Sequence, residues 1–138
     1  MARMMAVLLL LFANQGTSQR FAGTWLADHA GTTYVRLVLR GADDALSGTL
    51  SLGDVQVDDR GEVKAVTAVK SAAPVFDVRV NGEVLSLARK DGGDTDRFEV
   101  RLTGADSAEL TFSLSEADRQ AAGVPSVRAF RLTRSRSF

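Results

Sequence analysis

The chain has 138 residues, no cysteine, and equal numbers of basic and acidic residues, 17 of each. This length suits a single domain, and the lack of cysteine excludes disulfides and thiolate metal sites. A neutral chain also lacks the broad basic surface typical of nucleic-acid-binding proteins, so no nucleic acid is expected as a partner.

Residues 1–18 have the pattern of a signal peptide. Arg3 supplies a positive charge near the start, Ala6 to Ala13 form an apolar stretch too short to span a bilayer, and a short polar segment follows. The sequence therefore predicts cleavage before Gln19 and export to the periplasm or the medium, with 19–138 as a single domain. The alternatives are a non-cleaved N-terminal helix and a misassigned start codon.

From Phe21 onward, apolar and polar residues alternate with a period of two, which is typical of antiparallel strands with one buried face. Turn-forming residues separate the alternating segments. Asn81-Gly82 is the clearest hairpin signal, because both residues tolerate the positive φ of a type I′ turn. The pattern predicts ten strands, some of which would merge at bends such as Gly53. They are 21–28, 33–40, 46–52, 54–58, 62–69, 75–80, 83–90, 96–103, 108–114 and 127–133.

The alternation also assigns residues to the two faces of the sheet. In the segment 34–40, the valine and leucines at 35, 37 and 39 share the apolar face, and Tyr34 is expected on the polar face. In the segment 75–80, Phe76, Val78 and Val80 are expected to share the apolar face.

One short helix is expected before the last strand. Ser115 suits an N-cap, with Asp118 three residues later, and Gly123 and Pro125 would end the helix. The apolar faces of the strands are buried, and the edges of the sheet are removed, if the sheet closes on itself. The predicted fold is therefore all-β, an antiparallel up-and-down meander barrel of about eight strands with one short helix before the last strand.

Gly23-Thr24-Trp25, in the first predicted strand, resembles the Gly-x-Trp opening of the lipocalins and their calycin relatives. Thr95-Asp96 followed by Phe98 is similar to a later lipocalin motif. The resemblance implies a lipocalin-like exported barrel in which Trp25 plugs the closed end. Small exported barrels of unassigned function share this opening.

The same resemblance implies that a late arginine packs across the Trp25 ring, a cation–π contact of about 0.5–2 kcal/mol. Lipocalins carry this arginine where a strand gives way to a helix, but the corresponding region here reads FSLSE. Arg131 and Arg134, in the last predicted strand, are the two candidates for this role.

The segment from Gly23 to Leu52 also resembles the first hairpins of the avidins. The avidin side chains of this region that hold biotin fall on Ala27, Thr32, Leu50 and Leu52 of this chain. Avidins also surround biotin with several tryptophans, and this chain has one. Biotin binding is therefore not expected.

No arrangement of residues in the sequence selects a catalytic or metal site. His29 is the only histidine, so a metal site with several histidines is excluded. A catalytic triad would require a poised nucleophile near His29. Asp91, Asp94 and Asp96 lie in a charged loop that lacks the order of a calcium-binding loop. We expect no metal, no cofactor and no enzymatic activity. A hydrolase is the least favoured alternative.

An eight-stranded barrel is the size at which the interior either just fills or holds one small ligand. Fold analogy favours an exported monomer that binds a small apolar molecule, with no integral membrane insertion because the charged residues face outward. The alternative is a ligand-free structural or protein-interaction module with a filled core. The candidate pocket-lining residues are the bulky members of the strands: Tyr34, Leu37, Leu39, Phe76, Phe98 and Phe112.

Overall fold

The computed structural model of the protein describes residues 19–112 and 129–135. The described chain contains β1 (Gly23–His29), β2 (Thr32–Arg40), β3 (Ser47–Leu52), β4 (Val55–Val57), β5 (Val63–Val66), β6 (Ala73–Asn81), β7 (Val84–Asp91), β8 (Asp94–Leu102), β9 (Ser107–Phe112) and β10 (Phe130–Ser135). The helix predicted at 115–122 lies outside the described residues. Within the described ranges, no helix is long and apolar enough to cross a membrane.

Eight of these strands close into an antiparallel barrel in the order β1-β10-β9-β8-β7-β6-β3-β2. Strands that follow one another in the chain are neighbours in the barrel, except where β4 and β5 form a separate two-stranded sheet between β3 and β6. Pairing of β10 with β1 closes the ring, so every barrel strand has a partner on both sides. The prediction of an all-β antiparallel meander barrel of about eight strands is confirmed.

The expected merging of strands at Gly53 is wrong. Here the chain leaves the barrel after β3, and the returning arm of the β4–β5 hairpin lies directly beside it. A Cβ atom on Gly53 would lie 2.0 Å from the carbonyl oxygen of Thr67. The backbone N–H of Lys70 donates to the carbonyl oxygen of Leu52 at 3.1 Å, which holds the two arms together.

The interior of the barrel is occupied by large apolar side chains. The largest of those that are less than 2 % exposed come from seven of the eight barrel strands and from the segment before β1. They are Trp25, Phe21, Phe98, Leu37, Leu39, Leu50, Leu85, Leu87, Leu110, Leu132, Val35 and Val100. Burial of these side chains is the main favourable contribution to folding. The chain has no disulfide bond that would add to it.

A bulge in β6 reverses the faces of its first half. The register of β6 against β7 shifts between Phe76 and Arg79, and Asp77 has a φ of 52°. An extra residue in one strand moves the residues on one side of it to the other face. Val78 and Val80 pack against the core, but Phe76 is 36 % exposed. The expectation that Phe76 shares their inward face is wrong, because a strict period of two does not register an inserted residue.

A second bulge, in β2, buries the only tyrosine. Asp28 of β1 pairs with Thr33, whereas the residue before Asp28 pairs with Val35, so Tyr34 is the extra residue. Tyr34 is 5 % exposed, and its ring meets the Phe130 ring edge to face, with centroids 5.5 Å apart. The expectation that Tyr34 lies on the polar face is therefore wrong, for the same reason as at Phe76.

The two ends of the barrel differ in what covers them. We call one the plugged end: it carries Trp25, the loops 41–46 and 103–106, and the turn between β6 and β7. We call the other the hairpin end: it carries the β4–β5 hairpin, the turn between β7 and β8, the end of β9 and the start of β10. The candidate functional side chains divide between these ends.

Substitution of Gly48 tests whether β3 packs tightly against β2. A Cβ atom at this position would lie 1.7 Å from the carbonyl oxygen of Val38, a backbone atom that cannot move without disturbing the strand pairing. We expect Gly48→Ala to lower the free energy of unfolding by about 1–3 kcal/mol or more, measured by urea denaturation. Gly93→Ala, where nothing lies within 4 Å, is the control and should change it by less than about 0.5 kcal/mol. Equal stabilities of the two variants would contradict this packing.

Candidate functional site at the hairpin end

Trp25 seals the plugged end and is fully buried. Its indole Nε1–H donates to the carbonyl oxygen of Phe21 at 2.9 Å, so the polar edge of the ring is satisfied inside the core. The guanidinium carbon of Arg134 lies 4.4 Å from the centre of the ring system. Trp25 and Arg134 are also cross-strand partners in the β1–β10 pair that closes the barrel.

The guanidinium of Arg134 contacts three backbone carbonyl groups, from two segments of the chain, over the plug. Nη1 donates to the carbonyl oxygen of Ala22 at 2.6 Å, and Nη2 donates to the carbonyl oxygens of Arg20 and Ala105. Nε lies 3.4 Å from Oδ1 of Asp106, close enough for an ion pair but not aligned for a hydrogen bond. Arg134 therefore occupies the position over the indole ring.

Arg131, the other candidate for that position, lies elsewhere. It is exposed and pairs across the strands with Glu109 of β9, on the outer face of the barrel. Its neighbours on either side, Phe130 and Leu132, are buried in the core. Alternation along β10 therefore separates Arg131 from the plug.

A second arginine at the plugged end was not identified from the sequence. Arg20 forms ion pairs with Asp43 at 3.3 Å and with Glu83 at 2.8 Å, and it donates to the carbonyl oxygen of Gly82 at 2.7 Å. It thereby connects the segment before β1 to two of the loops at this end. Its position immediately before the buried Phe21 was the available signal.

At the hairpin end, four aromatic side chains meet. The Phe112 ring lies 5.0 Å from Phe98 and 6.0 Å from Phe130, and Phe130 in turn contacts Tyr34. We call these four residues the aromatic cluster. Phe98, Phe130 and Tyr34 are buried, whereas Phe112 is 40 % exposed. Phe112 lies two residues after the buried Leu110 on the same strand, so it belongs to the inner face at the rim of the barrel.

An arginine lies on the inner face near the cluster. Arg89 follows the buried Leu85 and Leu87 on the same face of β7, and it pairs with Val75 and Asp96 of the neighbouring strands. Its Nε is buried, and among the described residues this atom has no hydrogen-bond partner. The alternation in EVLSLAR was the signal for its inward position.

A surface cleft of about 510 Å³ adjoins the aromatic cluster on the opposite side of the barrel from Arg89. It lies between the loop of the β4–β5 hairpin and strands β1, β2, β9 and β10. Its lining residues are Asp28, Tyr34, Gly61, Glu62, Val63, Glu109, Ala129, Phe130 and Arg131. The cleft is thus predominantly acidic, with an aromatic floor that it shares with the cluster.

Tyr34 stands between the core and this cleft. Burial, and secondarily the negative charge of Asp28, raises the pKa of Tyr34 above its ordinary value of 10.0. Asp28 accepts a hydrogen bond from the Thr33 hydroxyl, which holds the carboxylate beside the ring. The phenol is therefore neutral at physiological pH and can act as a hydrogen-bond donor toward the cleft.

The structure brings together some of the predicted pocket residues and separates others. Tyr34, Phe98 and Phe112 meet in the aromatic cluster at the hairpin end. Leu37 and Leu39 are buried in the packed core, nearer the plugged end, and Phe76 lies on the outside. Phe130 and Arg89, which were not among the predicted pocket residues, belong to the same end as the cluster.

Within residues 19–112 and 129–135, no three histidine or carboxylate side chains are grouped so that they could hold a metal ion.

The closed ring of eight antiparallel strands, connected as a meander, is consistent with a calycin-like fold. No family model matches the chain, and no curated protein and no solved structure shows significant similarity to it. Its class is thus defined by the barrel architecture alone.

Substitution of Arg134 tests whether this side chain stabilises the plugged end. Arg134→Gln removes the contact with the Trp25 ring and leaves backbone carbonyls unpaired, so we expect the free energy of unfolding to fall by about 1.5–3 kcal/mol. The fluorescence of Trp25, the only tryptophan, should report increased access of water to the ring. Arg131→Gln is the matched control and should change stability by less than about 0.5 kcal/mol. An equal loss in both variants would contradict the assignment of Arg134 to the plug.

Tyr34 is the only tyrosine, so phenolate absorbance in an ultraviolet pH titration reports this residue alone. We expect a pKa above 10.0 in the folded protein, and Asp28→Asn should lower it only partly, since burial is the larger cause. Because the folded-state pKa is raised, the contribution to stability is complete below the unfolded pKa and is lost as the pH rises through the folded pKa. A titration at the ordinary pKa would show that the ring is not buried.

Proposed function

We propose that this chain is an exported, non-enzymatic, lipocalin-like barrel that binds a small apolar molecule at its hairpin end. The observation that carries the proposal is Phe112, a large inner-face side chain that is 40 % exposed beside two buried aromatic rings. An apolar molecule that covers this ring removes its surface from water at about 25 cal/mol per Å². The remaining rings of the aromatic cluster offer a rigid surface for stacking.

Because the core is densely packed, we place the ligand in a shallow site at the rim of the barrel and not in a deep pocket inside it. Leu37 and Leu39 belong to the densely filled interior, and Phe98 is only 1 % exposed. A ligand at the rim contacts Phe112 directly and reaches the adjoining cleft across Tyr34, without displacing core side chains. This position differs from the deep interior site that fold analogy alone favours.

The lipocalin-like assignment is supported by the plugged end. Trp25 follows the Gly-x-Trp pattern in β1, and Arg134 of the last strand lies over its ring. Export is supported by the signal-like pattern of residues 1–18 and by the position of Arg20. Arg20 forms ion pairs with two loops of the barrel, so the chain is attached to the barrel from the first residues after the expected cleavage site.

A second candidate function is a ligand-free structural or protein-interaction module. The filled interior favours it, because a solid barrel needs no cargo for stability. Its contact surface would then lie on the exterior, where Phe76 is the other large exposed apolar side chain among the described residues. Substitutions of Phe112 at the rim and of Phe76 on the exterior can therefore distinguish the two functions.

Binding of N-phenylnaphthylamine, a neutral apolar dye that fluoresces when it leaves water, tests the proposal on the chain 19–138. We expect Phe112→Ala to weaken dye binding about tenfold, the equivalent of about 1.4 kcal/mol of apolar contact. Phe76→Ala removes an equally large exposed ring from the outer face and should leave binding unchanged. Circular dichroism establishes that both variants are folded.

The absence of a dye signal in the unaltered chain, or an equal loss in both variants, would overturn the rim site. Native mass spectrometry of the protein from its own periplasm or medium gives the independent readout. A stoichiometric small-molecule adduct supports a carrier, and a clean protein mass with no uptake from a lipid extract supports the interaction module.

A further inference from the structure

The wall of the barrel opens between β1 and β10 at the hairpin end. These two strands pair only where Thr24–Leu26 faces Thr133–Ser135. Beyond this pairing, β1 continues to His29 paired with β2 alone, and β10 begins at Phe130 paired with β9 alone. The cleft of about 510 Å³ described above lies at this opening, and we call it the acidic cleft. Because of the opening, the rings of Tyr34 and Phe130 line a space in the side wall of the barrel.

The phenol of Tyr34 has no hydrogen-bond partner among the described residues, although Tyr34 is only 5 % exposed and lines the acidic cleft. The negative charge of Asp28 contributes to the raised pKa of Tyr34, so this carboxylate lies within electrostatic range of the phenol. Asp28 nevertheless accepts its hydrogen bond from the hydroxyl group of Thr33. A buried phenol normally has a partner, and a ligand in the acidic cleft would provide one.

The charges around the acidic cleft favour a cation as the ligand. Three carboxylates, those of Asp28, Glu62 and Glu109, line the cleft together with one guanidinium, that of Arg131. Glu109 lies between Arg101 and Arg131 in the strand register, so its charge has basic neighbours on both sides. No ion pair between the described residues includes Asp28. Asp28 is therefore the carboxylate that we assign to the ligand.

The aromatic floor of the cleft favours an organic cation. The Tyr34 and Phe130 rings meet edge to face, at 90° and with centroids 5.5 Å apart. The faces of aromatic rings attract organic cations, and the rings also provide an apolar surface for the rest of the ligand. The carboxylate of Asp28 and the phenol oxygen of Tyr34 both accept hydrogen bonds. A primary ammonium group can donate to both of them, whereas a quaternary ammonium group has no N–H to donate.

We infer that the acidic cleft binds a small primary amine with an apolar body, such as an arylalkylamine. Its ammonium group donates to the Asp28 carboxylate and to the phenol oxygen of Tyr34, and its apolar body lies against the Phe130 ring. Phe112 is not among the residues that line the acidic cleft. This second site therefore goes beyond the proposed function, which depends on Phe112 at the rim.

The test compares 2-phenylethylamine with 2-phenylethanol, which have the same apolar body and differ in the charged group. Both are titrated into the chain 19–138 at neutral pH by isothermal titration calorimetry. We expect the unaltered protein to bind the amine about tenfold more tightly than the alcohol. In Asp28→Asn, which keeps an oxygen acceptor for Thr33, this ratio should fall about tenfold. In Asp44→Asn, which removes an exposed carboxylate at the plugged end, the ratio should be unchanged.

Two further variants test the phenol and the separation of the two sites. Tyr34→Phe keeps the ring and removes the hydroxyl group, so the amine should bind about fivefold more weakly. Phe112→Ala, which is expected to weaken binding of N-phenylnaphthylamine, should leave the ratio of amine to alcohol unchanged. Circular dichroism establishes that each variant is folded.

The inference is overturned if the amine has no advantage over the alcohol in the unaltered chain, or if Asp28→Asn keeps that advantage. An equal loss in Asp44→Asn would show that only the overall charge matters, and a loss of the advantage in Phe112→Ala would show that there is no second site. In each of these cases, binding of N-phenylnaphthylamine still decides the proposed function. Because the ratio is measured within each variant, a general loss of stability in Asp28→Asn cannot imitate the expected result.

Discussion

The contact between Trp25 and Arg134 joins the first strand of the barrel to the last. The two residues face each other in the β1–β10 pair, which is the pairing that turns an open meander into a closed ring. Its strands are more than a hundred residues apart in the chain, so their pairing carries a large cost in loop entropy. The guanidinium offsets part of that cost, since it stacks on the indole ring and donates a hydrogen bond to the carbonyl oxygen of Ala22. Closure then allows the apolar faces of all the other strands to be buried together.

Two single-residue insertions decide which aromatic rings are available at the surface of this closed barrel. The bulge in β2 turns Tyr34 inward against Phe130, and the bulge in β6 turns Phe76 outward. Neither changes the strand order, but each changes the chemistry of one position. The hairpin end gains a phenol, and the outer wall gains an exposed ring. The division of candidate functions between the rim and the outside therefore depends on local backbone irregularities, not on the topology.

The ends of the barrel also differ in how their charges are satisfied. At the plugged end, the guanidinium groups of Arg20 and Arg134 contact carbonyl and carboxylate oxygens of the surrounding loops. At the hairpin end, Arg89 has a buried Nε without a partner among the described residues, near an exposed phenylalanine. The plugged end thus connects its loops through ion pairs and hydrogen bonds, whereas the hairpin end exposes apolar surface beside a buried arginine nitrogen. That asymmetry motivates placing a binding site at the rim.

The sequence by itself determined the strands, the all-β class and the closed meander, because regular alternation and turn residues are local signals that every strand repeats. It also narrowed the residue over Trp25 to Arg131 or Arg134, and only the tertiary structure chose Arg134, since the choice depends on which face of β10 meets β1. The inward position of Tyr34 and the outward position of Phe76 were likewise decided by the tertiary structure. A bulge shifts the pairing of two strands without leaving a trace in their hydrophobic pattern. The burial of the Arg89 Nε is also a tertiary property, because it depends on everything that packs around the side chain and not on the residues next to it in the chain.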